Sequence, residues 1–232
     1  MNLAHKIWKL LRKESYQRGW RRFQRKLHPI LLPPLLAKLD QARICDIQKR
    51  YAASPIQVSK YANVEQWMKT NIERVQDLHL SRSTGKEILD LGCGGGFFLY
   101  ICQELGHRCL GLDIDGFPLF GELIDLLGVE RKIWEIREFE PLPHLDRKFD
   151  WITGFSTGFN RKKDKLLWGL PEWDFFLSDL RRHLHPGGTI FFALNPGQGG
   201  WYYSDELREF FLRRGATVER ERIFFRSENP VR

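Results

Sequence analysis

The stretch EILDLGCGGG, residues 87–96, runs from an apolar strand into a turn that holds four glycines in five positions. Phe97 then begins a helical stretch. Glycine is needed where the backbone takes a positive φ, or where a ligand lies directly against the main chain. Because this turn would lie at the carboxyl end of a first parallel strand, we expect it to receive a nucleotide-like ligand. A glycine-rich turn without a ligand is the alternative, at a cost in conformational entropy on folding.

Two kinds of ligand compete for this turn. In the NAD fingerprint G-x-G-x-x-G the third glycine would stand at position 97, where the chain has Phe97. The observed spacing is instead Asp-x-Gly-x-Gly-x-Gly, from Asp90 to Gly96. The pyrophosphate of NAD favours backbone N–H groups at a helix N-terminus, whereas a carboxylate favours a ligand with an ammonium and a sulfonium. An NAD(P)-linked oxidoreductase therefore stays the second hypothesis.

These residues resemble motif I of the class I S-adenosylmethionine-dependent methyltransferases, and GLDID at 111–115 resembles motif II. The resemblance covers about residues 86–195, including KFDWITGF at 148–155 and a turn, LHPGG, at 184–188. It implies an α/β fold with a Rossmann-like, doubly wound, mostly parallel sheet, and S-adenosylmethionine as the cofactor. The cofactor-binding residues expected from the motifs are Asp90, Gly92, Cys93, Gly94, Gly96, Asp113, Ile114, Glu138, Phe139 and Gly154.

The acid at the end of the second strand has two explanations. Asp113 lies 21 positions after Gly92, where a carboxylate can accept hydrogen bonds from both ribose hydroxyls. NAD enzymes share an acid at this spacing, so it does not separate the two ligand classes. Asp115 could instead cap the following helix. We favour the ribose role for Asp113.

The acids after the third strand are less clear. In the family that the chain resembles, an acid here binds the adenine amino group and its neighbour packs on the ring. Counting back from Leu142 and Pro143 gives Glu138 and Phe139 those places, with Glu140 as a near competitor. Solvated loop acids explain the same residues equally well.

From residue 87 onward, short apolar strands alternate with helical stretches, which predicts a parallel sheet with crossover helices. The predicted strands cover 87–92, 108–113, 132–137, 149–154, 189–194 and 217–226. The predicted helices cover 3–28, 35–50, 62–79, 96–106, 116–128, 172–184 and 204–214. We divide the chain into a basic amphipathic helical extension (1–34), a helical lid (35–80) and the core (81–232). The family usually ends in a hairpin, but only one clear strand, 217–226, is evident.

The net charge of +8 belongs to the first 28 residues. They hold nine of the 37 Lys and Arg residues and one of the 29 Asp and Glu residues, which leaves 28 of each sign in the rest of the chain. The core is therefore not a generally basic surface, and nucleic acid is a disfavoured partner. The segment could lie on an anionic membrane, cover the cleft or bind nucleic acid through its Arg and Lys side chains, and we favour attachment to a surface or docking to a partner. The lid role fits residues 51–80 better, where Tyr61, Trp67 and Met68 could close over a ligand.

The remaining composition predicts a cytoplasmic protein, with a peripheral membrane contact through residues 1–28 as an option. No apolar run of about 18 residues is present, and the N-terminus lacks the features of a secretory signal. The four cysteines match neither a zinc site nor a disulfide framework, so we expect small buried hydrophobes, a reducing compartment and no metal site. They are Cys45, Cys93, Cys102 and Cys109.

The methyl acceptor is not identified by any motif. Displacement at a sulfonium needs mainly alignment and exclusion of water, so the sequence assigns no catalytic residue. We expect a small molecule, a lipid headgroup or a glycan. A non-catalytic S-adenosylmethionine-binding protein is the third hypothesis. Candidate acceptor contacts follow the fourth and fifth strands. After the fourth strand they are the polar residues Ser156, Thr157 and Asn160 and the cations Arg161, Lys162, Lys163 and Lys165, although a solvated run of charges is the slightly favoured explanation for the cations. After the fifth strand they lie in the stretch NPGQGGWYY at 195–203.

Overall fold

The computed structural model describes residues 13–156, 158, 160, 167–196 and 200–226. Its strands are β1 (Glu87–Leu91), β2 (Arg108–Asp113), β3 (Arg131–Ile133), β4 (Phe149–Phe155), β5 (Leu184–Ala193), β6 (Ala216–Glu219) and β7 (Arg222–Arg226). They form one seven-stranded sheet in the order β3-β2-β1-β4-β5-β7-β6. The pairs among β1 to β5 are parallel and β7 is antiparallel to both of its neighbours. This confirms the predicted Rossmann-like, mostly parallel sheet.

The helices precede the sheet and then alternate with its strands. They are α1 (Lys13–Leu27), α2 (Leu32–Ala37), α3 (Gln41–Tyr51), α4 (Ile56–Ser59), α5 (Val64–Asp77), α6 (Phe97–Glu104), α7 (Pro118–Leu127), α8 (Leu170–Arg182) and α9 (Asp205–Arg213). Short 3-10 turns cover Lys60–Ala62 and Leu80–Arg82. The predicted helix at 35–50 is two helices, because Asp40 accepts a hydrogen bond from the Arg43 N–H and starts a new one at Gln41. Within the described residues, none of these helices is long and apolar enough to cross a membrane.

The central strand explains where a ligand can bind. All five residues of β1 are buried, as expected for a parallel strand covered on both faces. From β1 the chain adds β2 and then β3 on one side of the sheet, and it then crosses to place β4 on the other side of β1. Such a change of direction leaves a crevice at the carboxyl ends of β1 and β4.

The last described residues, 216–226, form a hairpin, and the prediction of a single strand over 217–226 is wrong. Val218 pairs with Ile223 and Glu219 with Arg222, so that β6 and β7 flank a two-residue turn. Arg220 takes a positive φ of 56° in this turn. Arg220 and Glu221 carry none of the usual Gly, Asn or Asp turn signals, which is why the sequence pattern looked continuous.

Two strands differ in length from the prediction. β5 begins at Leu184, so the predicted turn at 184–188 lies inside the strand. The extra residues of the turn are accommodated by a register shift between the two strands, since Phe149 pairs with Leu184 and Trp151 pairs with Thr189. Gly187 takes a positive φ of 78° at this irregularity. β3 ends at Ile133, four residues before the predicted end, and this changes the wall of the crevice described below.

The apolar core has two parts, one on each face of the sheet. Successive residues such as Ile88 and Leu89, or Phe191 and Phe192, belong to different clusters because their side chains point to opposite faces. One cluster is built around Trp173 of α8 and Phe211 of α9. The other joins α5, α6 and α7 to the N-terminal helices, where the Tyr100 hydroxyl donates to the Leu35 carbonyl at 2.9 Å. The division at residues 34 and 80 stays a prediction.

The cysteines are all free. Three are buried as expected, whereas Cys45 on α3 is exposed, so the expectation of four buried thiols is wrong for that residue.

Candidate functional site

A cavity of about 480 Å³ lies at the carboxyl ends of β1, β2 and β4, under α5. Its size falls in the range of roughly 300–1,000 Å³ that is usual for small-molecule sites. Six of the ten predicted site residues line it: Asp90, Gly92, Cys93, Gly94, Asp113 and Ile114. Gly96, Glu138, Phe139 and Gly154 are not among the lining residues. The role of all ten in cofactor binding stays a prediction.

The glycine turn presents bare main chain to this cavity. Gly94 has a φ of 55°, and a methyl group added there would meet nothing closer than the Phe120 ring at 3.8 Å. Gly96 serves packing instead, since a Cβ at that position would lie 2.7 Å from the Ile124 side chain of α7. The turn therefore combines an open face toward the cavity with a closely packed face toward the core.

Asp113 holds the glycine turn at the end of β2. Its two carboxylate oxygens accept hydrogen bonds from the Gly94 N–H at 2.5 Å and the Ile114 N–H at 2.7 Å. Burial raises the pKa of Asp113, while the two backbone hydrogen bonds and Arg131 oppose that shift. Each carboxylate oxygen can accept a further hydrogen bond, so the group stays available to ligand hydroxyls.

The alternative role for Asp115 is wrong. The residue at the N-cap of α7 is Phe117, and no side chain caps that helix. Asp115 pairs instead with Arg131 at 3.4 Å and is largely exposed.

Asp90 is a buried acid at the cavity wall. The Thr153 hydroxyl of β4 donates to its carboxylate at 2.7 Å. Burial raises the pKa of Asp90 to about 7, opposed by the hydrogen bond from Thr153 and the charge of Arg74, and reinforced by Asp113. An acid that is half ionised near neutral pH in a cleft is typical of a functional position.

Arg74 on α5 lines the cavity, and no sequence motif had singled it out. Its guanidinium lies 4.7 Å from the centroid of the Phe155 ring, and its Nη1 donates to the Asn71 side chain at 3.0 Å. Burial is the largest influence on the pKa of Arg74 and lowers it. In the described part of the chain, no carboxylate lies within ion-pair distance of this guanidinium. A buried cation without an ion pair is costly, so the position favours an anionic ligand group.

The spacing of residues along α5 is the sequence feature that could have identified Arg74. Trp67, Asn71 and Arg74 recur at intervals of four and three residues, and all three line the cavity. The lid expectation drew on Tyr61, Trp67 and Met68 of the same region. Tyr61 and Trp67 do line the cavity, whereas Met68 is fully buried in the core.

Aromatic rings form the outer wall. Tyr61 and Trp67 stack with their centroids 4.6 Å apart, and the edge of Phe120 meets Tyr61 at 5.0 Å. The Trp67 indole N–H donates to the Lys60 carbonyl at 2.8 Å, which fixes the ring. This side of the cavity is therefore lined mainly by aromatic rings.

The wall after β3 consists of Trp134, Glu135 and Ile136, not of the predicted Glu138 and Phe139. Because β3 ends at Ile133, the residues that follow it directly reach the cavity. Phe139 is instead half exposed and packs against Phe175 with a centroid distance of 5.9 Å.

Gly154 also serves packing. It lies within β4, where a Cβ would approach the Phe192 ring to 3.0 Å.

The candidate acceptor contacts are only partly described. Ser156 lines the cavity, and its carbonyl accepts a hydrogen bond from the Asn195 amide at 2.7 Å. Asn160 is buried, and Trp201 is exposed without lining the cavity. Thr157, the cations at 161–165 and residues 197–199 lie outside the described residues. Among the described residues, no group of three or more His, Cys, Asp or Glu side chains is arranged to hold a metal ion.

Residues 89–192 match the family model for a methyltransferase domain. The chain is 25% identical over 134 residues to the ubiquinone biosynthesis O-methyltransferase of Proteus mirabilis, covering 55% of this chain and 50% of that protein. It is 26% identical over 111 residues to the protein of the same name from Pseudomonas fluorescens, covering 47% and 44% respectively. The chain thus spans about half the length of the curated relatives it matches.

Two solved structures are also similar. One is the S-adenosylmethionine-bound amino pentose methyltransferase from Micromonospora echinaspora, with 23% identity, a TM-score of 0.42, and coverage of 55% of this chain and 50% of that one. The other is a glycopeptide N-methyltransferase, with 13% identity, a TM-score of 0.46, and coverage of 70% and 90%.

Proposed function

We propose that the chain transfers the methyl group of S-adenosylmethionine to a small-molecule acceptor, starting from the match of residues 89–192 to the family model for a methyltransferase domain. The observation that carries the proposal is the placement of Asp113, which lines the cavity and accepts hydrogen bonds from the Gly94 N–H and the Ile114 N–H. A carboxylate held in this way matches the two hydroxyls of a ribose.

The charges of the cavity fit the rest of the cofactor. S-adenosylmethionine carries an ammonium, a carboxylate and a sulfonium, and it has no phosphate. We assign the ribose to Asp113, the ammonium to the buried carboxylate of Asp90, and the carboxylate to Arg74. The open main chain at Gly94 leaves room for the ligand where a side chain would fill it.

The chain's own residues act mainly by binding and by excluding water. The cofactor supplies a methyl group on a positively charged sulfur, so its departure needs no acid catalyst. Trp67, Tyr61 and Phe120 close one side of the cavity, and Phe155 closes the end near β4. A site that excludes water and holds the acceptor in line with the bond that breaks would lower the barrier to methyl transfer.

For the acceptor we infer a hydroxyl group on a small molecule, ahead of a lipid headgroup or a glycan. The curated relatives are named for O-methylation in ubiquinone biosynthesis, which supports an oxygen acceptor of low molecular weight. Incubating the protein with S-adenosylmethionine labelled in the methyl group and a cell extract tests this inference. Label found only in protein or nucleic acid would rule out a small-molecule acceptor.

The first prediction concerns Asp113. Replacing Asp113 by Asn removes the charge and turns an amide N–H toward a backbone N–H, so calorimetry should report an affinity for S-adenosylhomocysteine roughly 10- to 100-fold weaker. The same substitution at the fully exposed Asp146 is the matched control and should leave the affinity unchanged. Thermal unfolding of both variants checks that the fold survives.

The result must also separate the competing hypotheses. If the wild-type protein binds NAD and neither S-adenosylmethionine nor its demethylated product, the oxidoreductase hypothesis replaces the proposal. If it binds the cofactor and no extract supports turnover, the non-catalytic binding protein is the better description.

A further inference from the structure

The helix α1 is amphipathic in the opposite sense to a normal surface helix. Its half-buried face, formed by Arg21, Gln24 and Arg25, is polar and faces the rest of the protein. Its outer face carries Trp20, Phe23 and Leu27, which are 62%, 50% and 53% exposed. Surface helices ordinarily bury their apolar stripe and expose the polar one.

Ion pairs hold the inner face of α1 to the rest of the molecule. Arg25 makes two hydrogen bonds to Asp77 of α5, at 2.7 and 2.9 Å, and an ion pair with Glu73 at 2.5 Å. Arg21 reaches Glu219 of β6 at 3.4 Å. The side chain of Gln76 donates to the carbonyls of Arg25 and His28, which fixes the C-terminal end of the helix.

The outward apolar stripe therefore stays uncovered within the described chain. Trp20 and Phe23 lie with their ring centroids 5.7 Å apart, and Leu31, 64% exposed, extends the stripe beyond the helix. Arg22 and Lys26 flank it, and neither has an ion-pair partner in the part of the chain that the structure describes. We call Trp20, Phe23, Leu27, Leu31, Arg22 and Lys26 the α1 docking surface.

We propose that the α1 docking surface binds the surface of an anionic lipid bilayer. The whole net charge of +8 lies in residues 1–28, the segment of the sequence that contains Trp20, Phe23 and Leu27, while the remainder of the chain is balanced. Apolar and aromatic side chains flanked by Lys and Arg on a helix match the boundary between lipid headgroups and acyl chains. This proposal is independent of methyl transfer.

A second copy of the chain is a poorer occupant. In a twofold dimer the same surface would meet itself, so Arg22 and Lys26 of both copies would enter one interface, and the α1 docking surface has no acidic residue to pair with them. An anionic bilayer instead pairs with both the cations and the apolar stripe.

Bilayer docking through α1 would also set the position of the cavity. α5 carries Glu73 and Asp77 on the side that holds α1, and Trp67 and Arg74 on the side that lines the cavity. The helix that roofs the cavity therefore lies one helix layer away from the lipid surface.

Sedimentation of the full chain with phosphatidylcholine vesicles, with and without phosphatidylserine, tests the proposal. We expect the protein to sediment with the anionic vesicles and much less with the neutral ones. A variant with Trp20→Ser, Phe23→Ser and Leu27→Ser should lose binding to both. A variant with Arg22→Glu and Lys26→Glu should have an affinity for the anionic vesicles at least about twentyfold lower, since each cation contributes about a fivefold factor to the affinity.

Matched controls lie elsewhere on the surface. Ile56→Ser with Leu212→Ser removes exposed apolar groups, and Lys49→Glu with Arg213→Glu makes the same change in net charge. Both controls should bind vesicles as the wild-type protein does, and all variants should retain their melting temperature.

Three outcomes would overturn the proposal. The wild-type protein fails to sediment with anionic vesicles, or the control variants lose as much binding as the α1 variants, or sedimentation velocity without lipid detects a dimer that the triple serine variant dissociates. The last result would assign the surface to a second copy of the chain.

Discussion

At the scale of single residues, Asp90 is the most unusual group in the site. Its carboxylate is buried, bonded to Thr153 and close enough to Arg74 for their charges to interact. Burial still dominates, so the pKa rises to about 7. A cavity that keeps a carboxylate half protonated in this way binds a cationic group at the cost of releasing a proton.

This predicts how stability depends on pH. The pKa of Asp90 is higher in the folded chain than in the unfolded one, so its contribution is fully present below about pH 4 and is lost as the pH rises through 7. Over that range the free energy of unfolding of the wild-type protein should fall relative to that of Asp90→Asn, by at most about 4 kcal/mol. Urea unfolding at a series of pH values measures the difference.

The control for this prediction is Asp146→Asn, an exposed acid that should track the wild-type curve. Saturating S-adenosylmethionine should flatten the wild-type slope, because an ammonium beside Asp90 stabilises the ionised form. A constant difference between wild type and Asp90→Asn at every pH would show that Asp90 titrates normally.

At the scale of elements, α5 contacts α1 with one side and lines the cavity with the other. One side of the helix binds α1 through Glu73 and Asp77, and the other supplies Trp67, Asn71 and Arg74 to the cavity. The glycine turn and β2 provide the nucleoside end of the proposed site. We therefore expect α5 to decide recognition of the amino-acid end of the cofactor.

Replacing Arg74 by Met tests this division of roles. The substitution keeps a long apolar side chain over Phe155 and removes the charge, so affinity for S-adenosylhomocysteine should fall roughly 10- to 100-fold. Affinity for 5′-methylthioadenosine, which lacks the carboxylate, should stay the same. Isothermal calorimetry measures both, and the exposed Arg213→Met serves as the control.

An equal loss for the two ligands would contradict the assignment. It would mean that Arg74 supports the shape of the cavity and does not contact the carboxylate of the cofactor.

At the scale of the whole molecule, Asp77 links three distant parts of the chain. Its carboxylate contacts Arg25 of α1 at 2.7 Å and Arg222 of β7 at 3.5 Å, and it lies 4.0 Å from Arg21. These ion pairs connect α1 to α5 and to the hairpin of β6 and β7.

Asp77→Ala should release this connection. Leaving three partly buried guanidinium groups without their shared partner should lower the free energy of unfolding by about 1–3 kcal/mol. Trypsin should cut after Arg21 and Arg25 sooner than in the wild-type protein. Asp125→Ala, at an exposed acid on α7, is the control, and equal digestion rates for all three proteins would refute the role of Asp77.

The order of the elements was predictable because its signals are local. Strands such as 108–113 and helices such as α9 follow from the periodicity of their own apolar residues. The hairpin at β6 and β7 was missed because Arg220 adopts its left-handed conformation without a residue type that announces it.

By itself, the sequence determined the strand, glycine turn and helix at 87–104, with Asp90 in the strand that leads into the turn. Neighbouring residues alone specify these features, through backbone conformation and burial. Only the tertiary structure decided that Arg74 enters the cavity, that Glu135 replaces Glu138 on its wall, and that α1 turns its polar face inward. Each of these depends on which distant surface an element packs against. The spacing of Trp67, Asn71 and Arg74 puts them on one face of α5, but it does not specify what that face meets.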